Sequence, residues 1–290
     1  MDFDTFFDKA WNDHVAVARE VADRLDQGLA LVADEPQLNR LIHIAQHVFG
    51  EHLAAWHEGV AFLERLKTLP SFVPDGASGQ QLRRCIAGLQ LAADDSTALD
   101  GLFSASDRTR VSAMAASHLA AHDTVRASRL LREALDLAQR SGMPNDDPSN
   151  RSLAVTGNTL ACALEDKPAR SAEECASIIL AAQTARHYWA IAGTWLETER
   201  AEYRLASTWL QAGDPARARE HAQACLEIVA AHDGPALERL FGWEALGLVE
   251  RAAGNTTGHA QALARAREAF EQLDESDKSW CAASLEKLAG

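Results

Sequence analysis

Cysteine, glycine, proline and aromatic residues are all scarce in this chain of 290 residues. The five cysteines, Cys85, Cys162, Cys175, Cys225 and Cys281, are odd in number, far apart and without a CxxC pair. That argues against a disulfide framework and against thiolate metal or redox sites, and it fits a reducing compartment. Glycine (17) and proline (8) are few and aromatics are 6%, while the 47% of apolar residues is mostly Ala and Leu, so helices are expected and almost no strand. No apolar run approaches the ~18 residues of a membrane span. The opening MDFDTFFDKAWNDH carries acidic groups in place of the basic region of a leader, so a cytoplasmic protein with no membrane partner is expected. Basic residues are outnumbered 28 to 42, for a net charge of -14. This excludes a nucleic-acid backbone as the main ligand and leaves protein partners or small molecules, although acidity also simply keeps a protein dispersed.

Catalytic signatures are missing as well. There is no P-loop, no Gly-rich dinucleotide turn, no G-x-S-x-G elbow and no HExxH. The acidic pairs Asp94-Asp95 and Asp146-Asp147 fall where caps and loops need them. A protein that is not an enzyme and carries no cofactor is the expectation.

What the chain does have is clearest in Glu199 to Ala230. Leu205, Ala206, Trp209, Ala218, Ala222 and Cys225 are apolar or small at helical spacing, and Gly213-Asp214-Pro215 interrupts them with a helix stop, a cap and a residue suited to a first turn. Two helices in a hairpin follow. Similar units fill the chain: a first amphipathic stretch over Asp4 to Leu31 with a stripe of Phe7, Trp11, Val15, Ala18, Ala22, Leu25 and Leu29, then a pair from Gln37 to Pro70 turning at Ala54-Ala55. A shortened pair follows, QQLRRCIAGLQLAADD with STALDGLF, and then a pair capped by Ser106 that turns at His122-Asp123 and stops at Gly142. Beyond the loop MPNDDPSNR, Ser171 and Glu174 have capping-box spacing, Gly234-Pro235 and Gly254-Asn255 mark further boundaries, and a last helix around Trp280, Leu285 and Leu288 covers the final pair. The expectation is one helical domain: a capping helix in 1–36, pairs in 37–141, a loop at 142–151, pairs in 152–273 and a capping helix in 274–290.

Where the second helix of each pair crosses the first, the register gives Gly59, Leu99, Ala127, Ala172, Ala218 and His259, at intervals of 28 to 46 residues. With Trp243-Glu244-Ala245-Leu246-Gly247, and with Leu205, Ala206, Trp209 and Ala218 in the organising pair, the chain resembles the tetratricopeptide-repeat family, whose pattern is W-x2-L-G-x2-Y followed by A-x3-F. Met114, Ala115, Ala127, Leu131 and Ala134 supply the same positions near residue 115. Glu250 replaces the family's aromatic, Leu99 and His259 fall in a small-residue slot, and most intervals exceed 34. The resemblance implies an all-α fold, a right-handed TPR-like α-solenoid of about six antiparallel helix pairs with capping helices. The alternative is an irregular helical bundle with Ala-rich packing.

Such arrays bind peptides on the concave surface of their first helices, and in this register Asn158, Arg200, Tyr203 and Arg204 face that groove. An amide and two guanidinium groups suit an acidic or C-terminal carboxylate partner, like part of the family's carboxylate clamp, although its full set of lysines and asparagines is absent. The competing reading pairs Arg200 and Arg204 with Glu197, Glu199 or Glu202 on their own helix. Tyr188, Trp189 and Trp195 form a candidate apolar pocket for a small molecule, or fill the interior. His43, His47 and Glu51, at successive i, i+4 positions, form the candidate metal set, with satisfied interior histidines as the alternative. His118 and His122 repeat the spacing as helix-end and turn residues. The leading expectation is a peptide-binding adaptor, ahead of a small-molecule sensor and a helical metalloenzyme.

Overall fold

The computed structural model describes residues 1–100 and 104–290. Among them are fourteen α-helices and no strand. The helices are α1 (Phe3–Asp13), α2 (Ala18–Leu31), α3 (Glu35–His47), α4 (Trp56–Leu66), α5 (Ala77–Ala92), α6 (Ala105–Leu119), α7 (Thr124–Ser141), α8 (Ser149–Glu165), α9 (Ala172–Ala192), α10 (Trp195–Gln211), α11 (Pro215–Ala231), α12 (Ala236–Ala252), α13 (Thr256–Glu271) and α14 (Glu275–Ala289). The chain is all-α. Its contacts divide it into two compact units, Met1–Leu164 and Glu165–Gly290.

The hairpin signals act as their chemistry dictates. Gly213 takes a left-handed φ of 78° that a side chain would disfavour, Asp214 caps α11 by accepting from the Arg217 amide, and Pro215 fills the first turn. Ser171 and Glu174 form the reciprocal capping box of α9, and Asn255 caps α13. In the first unit, Asp123 caps α7 and Gly142 ends it in the left-handed region.

Several expectations shift. The stretch Asp4 to Leu31 is two helices, because the backbone breaks between His14 and Val17 and the His14 imidazole turns back onto the Trp11 carbonyl. The break resets the helical phase, so Phe3, Phe6 and Ala10 are buried in α1 while Val15 of the expected stripe is 71% exposed. Ser104 rather than Ser106 caps α6; the Ser106 hydroxyl instead donates to Asp147 at 2.7 Å. Ala172 is exposed in the first turn of α9, and Ala262, 3.2 Å from where a Gly247 side chain would begin, is the small residue of α13 that approaches α12. His259 meets that helix by hydrogen bonding to the Gly247 carbonyl at 3.0 Å. The second helix of the shortened pair is expected to run through Gly101, Leu102 and Phe103, which lie outside the described residues; Ser96 to Asp100 ahead of them is turn.

The core of the first unit is built from Leu25, Leu38, Leu41, Ile42, Ile44, Leu63, Leu66 and Leu82, all fully buried, with Phe3, Phe6, Phe49 and Phe62 around them. Each such side chain contributes about 1.5–3 kcal/mol of burial. The second unit packs on small residues, Ala206, Ala222 and Ala245 together and Ala266, Ala269 and Cys281 with Leu240 and Leu288. Leu288 and Cys281 lie on α14, which packs against α12 and α13.

One segment departs from α geometry. After His47 the chain widens into a π turn, Val48–His52, closed by the Leu53 amide on the Val48 carbonyl at 3.1 Å. Gly50 sits in that turn under the ring of His118 from α6; a β-carbon there would lie 2.4 Å from the imidazole. His118 is fully buried and has nowhere to move. Gly50→Ala should therefore destabilise the protein by about 1–3 kcal/mol in urea unfolding; an unchanged midpoint would mean the turn and α6 are not packed this way.

Candidate functional site

Three groups of side chains bear on function, and each is built on different elements. On α10 of the second unit, the three residues expected in the groove are held by carboxylates of the chain itself. Arg200 pairs with Glu238 of α12 at 2.6 Å, the Tyr203 hydroxyl donates to Glu244 of α12 at 3.0 Å, and Arg204 pairs with Glu165, the first residue of that unit. None of these partners is among the same-helix glutamates considered from sequence. A ligand carboxylate would have to compete with them. Asn158 lies half-buried on α8 in the first unit.

The same hairpins bury an unusual number of acids. Glu199, Glu202, Glu238, Glu244 and Glu250 are all nearly inaccessible. Glu202 takes Arg186 and His221, and Glu250 takes a two-pronged bond from Arg219 at 2.7 and 2.9 Å and the Asn255 amide at 2.7 Å. Glu199 is the least supported: the Cys225 thiol donates to one oxygen at 2.8 Å and the other has no partner. Burial pushes its carboxyl up to about 7, reinforced by Glu238 nearby. Tyr188 meets His187 edge-on, Trp189 is buried against Gly193, and Trp195 stacks on His232 at 5.0 Å, so the three aromatics expected to line one pocket pack with different partners.

The first unit holds a cleft of about 570 Å³ walled by α3, α5, α6 and α8. Arg84, Arg110 and Arg151 reach it, with Gln46, Gln81 and Thr156 among its polar groups. Arg84 and Arg110 share a single carboxylate, Asp107, at 3.2 and 3.9 Å. Burial first, and the Arg84 cation next, hold Arg110 below the ordinary guanidinium value against the pull of Asp107 and Asp147. A further anion beside the two guanidinium groups would oppose both effects. The walls are tied together at their base: the Ser117 and Thr156 hydroxyls are 3.0 Å apart, Thr156 donates to the Ala113 carbonyl, and His118 bonds the Gln46 oxygen at 2.7 Å. Burial drives His118 down to about 4, so it is neutral at physiological pH. It stands in the last turn of α6, as expected, and is also fully buried.

The third group is a histidine cluster beside the cleft. His43 is exposed and His47 half-buried, so neither occupies the interior position that its register implied; Leu41, Ile42, Ile44 and Ala45 do. Glu51 accepts from His47 Nδ1 at 2.9 Å, as the i, i+4 spacing foresaw. Burial pushes the Glu51 carboxyl up, but the bond from His47 and the surrounding imidazoles outweigh it and keep it low. The structure adds His14 and His52, whose ligating atoms and that of His47 lie within 4.8 Å of one another. Sequence reasoning passed over both. His52 is five residues from His47, off the face of an α-helix but in line across a π turn, and His14 is 33 residues before His47.

No protein-family model matches this sequence, and a search of curated proteins found no match. No described helix is long and apolar enough to cross a membrane.

The Glu199 environment has a definite pH signature. Its folded value, about 7, lies above the ordinary 4.5, so the native state favours the neutral acid. The stabilisation is complete below pH 4.5 and is lost as pH rises through 7. Melting temperature is expected to fall between about pH 5 and 8, by the equivalent of about 1–3 kcal/mol. Glu199→Gln should flatten that slope and raise stability at pH 8; an unaltered slope would show that Glu199 is ionised at little cost.

Proposed function

We propose that this chain is a non-catalytic binding module, a TPR-like right-handed solenoid that takes the carboxylate-bearing end of an acidic peptide or protein segment into the cleft of its first unit. The observation that carries this reading is the pair Arg84 and Arg110, two guanidinium groups sharing one carboxylate at the wall of a cleft. A ligand carboxylate entering there would supply the missing charge and gain forked, charge-assisted hydrogen bonds. Gln46 and Gln81 offer amides for the adjoining peptide group. The walls belong to α3, α5, α6 and α8, which begin the helix pairs read from the sequence, and in the resembled family the first helices form the binding face. A cytoplasmic location belongs to the same reading and is supported by five free cysteines.

A small-molecule sensor is the second reading, favoured by the cleft volume of about 570 Å³, which suits a compact anionic metabolite. One experiment separates the two. Titration with acidic peptides bearing a free or an amidated C-terminus is expected to show binding only of the free carboxylates. Arg84→Ala and Arg110→Ala should each weaken it by about tenfold to a hundredfold, while the double variant Arg200→Glu, Arg204→Glu binds normally. Binding lost in the α10 double variant and kept in the cleft variants would move the site to Arg200, Tyr203 and Arg204 of α10. Thermal stabilisation by small dicarboxylates without peptide binding would favour the sensor.

A further inference from the structure

The histidine cluster carries more than its sequence spacing suggested. His14 closes α1, His47 ends α3, and His52 ends the π turn that follows. Their rings converge with centroids 5.0 Å apart for His14 and His47, 5.0 Å for His14 and His52, and 4.8 Å for His47 and His52. A tetrahedral ion with bonds of about 2.0–2.1 Å to imidazole nitrogens spaces them at roughly 3.3 Å. His47 Nε2 and His52 Nε2 are 3.2 Å apart. The rings are tilted by 54° to 89° from one another rather than stacked, so their nitrogens can aim at a common point.

The outer hydrogen bonds fix which nitrogen each ring presents. A carboxylate oxygen can only accept from His47 Nδ1, at 2.9 Å, so Nδ1 carries the proton and Nε2 presents its lone pair. The Trp11 carbonyl likewise requires a proton on His14 Nδ1 and leaves Nε2 as the ligating atom. Without an ion, His52 Nε2–H donates to His47 Nε2; with one, that proton moves to His52 Nδ1 or leaves, and both lone pairs face the metal. A carboxylate–histidine pair and a carbonyl–histidine pair are the supports that metal-binding imidazoles use. The indole of Trp11 stacks on His14 at 4.8 Å and on His47 at 5.6 Å, covering one side.

We propose that His14, His47 and His52 bind a divalent transition ion of the zinc class, with Glu51 orienting His47 and the fourth position left to water or an outside ligand. Three neutral nitrogen donors without a thiolate suit Zn²⁺, Co²⁺, Ni²⁺ and Cu²⁺ and disfavour Mg²⁺ and Ca²⁺. The ion ties α1 to the π turn, two segments otherwise linked through α2 and α3 by core packing and by the Arg24–Asp13 and Arg40–Asp4 ion pairs. His14, His47 and His52 lie outside the cleft lining while Glu51 belongs to it, and the proposal does not depend on the cleft's ligand.

The test uses the full chain without an affinity tag. Dialysis against Zn²⁺ followed by elemental analysis is expected to give one ion per chain, and Co²⁺ should produce the intense visible absorption of a tetrahedral site. His14→Asn and His52→Gln should each abolish both, Glu51→Gln should weaken affinity by ten- to a hundredfold, and His187→Asn, outside the cluster, should change nothing. Circular dichroism on each variant checks that the helices persist. Substoichiometric Zn²⁺ in the wild-type protein would overturn the proposal whatever the variants do. So would stoichiometric Zn²⁺ unaffected by His14→Asn and His52→Gln.

Discussion

A single buried hydrogen bond, His118 to Gln46 at 2.7 Å, ties α6 to α3 in the first unit. Both side chains are almost wholly inaccessible, and an unsatisfied polar group so buried costs about 1–3 kcal/mol. Each therefore requires the other, and α3 and α6 are fixed relative to one another with α5 packed against both. The consequences run both ways from this contact. Gln46 is part of the cleft wall, and the His118 ring lies on Gly50, so the same bond positions the arginine-lined cleft and the π turn that carries Glu51 and His52.

The second unit solves its packing problem differently. Small residues bring α10, α11, α12 and α13 close together, and between them the chain buries glutamates. Glu250 is the clearest case: it is buried, and Arg219 and Asn255 surround it. Buried ion pairs of this kind add little net stability over apolar packing, yet breaking one leaves an uncompensated charge in the interior. They thus fix helix register more than they strengthen it. Glu199, with the thiol of Cys225 and no cation of its own, marks where that network is weakest.

The candidate site was legible only as far as local spacing carries. His43, His47 and Glu51 announce themselves by the α-helical period, and the bond from His47 to Glu51 follows from it. His52 does not, because a spacing of five residues aligns side chains only where the helix widens, and no residue type signals a π turn. His14 is brought in by the packing of α1 against α3. The arginines of the cleft went unnoticed for a similar reason: Arg84 and Arg110 lie on separate helices and look in sequence like ordinary surface cations.

By itself the sequence determined the helices, most of their ends and the turns between them, since capping, left-handed glycine and apolar periodicity act within a few residues. Ser171 with Glu174 and Gly213-Asp214-Pro215 are local chemistry and form as read. Tertiary structure alone decided which charges meet. Arg200 and Arg204 have several glutamates on their own helix, but Glu238 and Glu165 hold them, because helix packing brings those two carboxylates into contact with the guanidinium groups. It also decided the break at His14 to Val17 and the π turn after His47, where fitting two helices onto one core outweighs the preference of either segment to continue as regular helix.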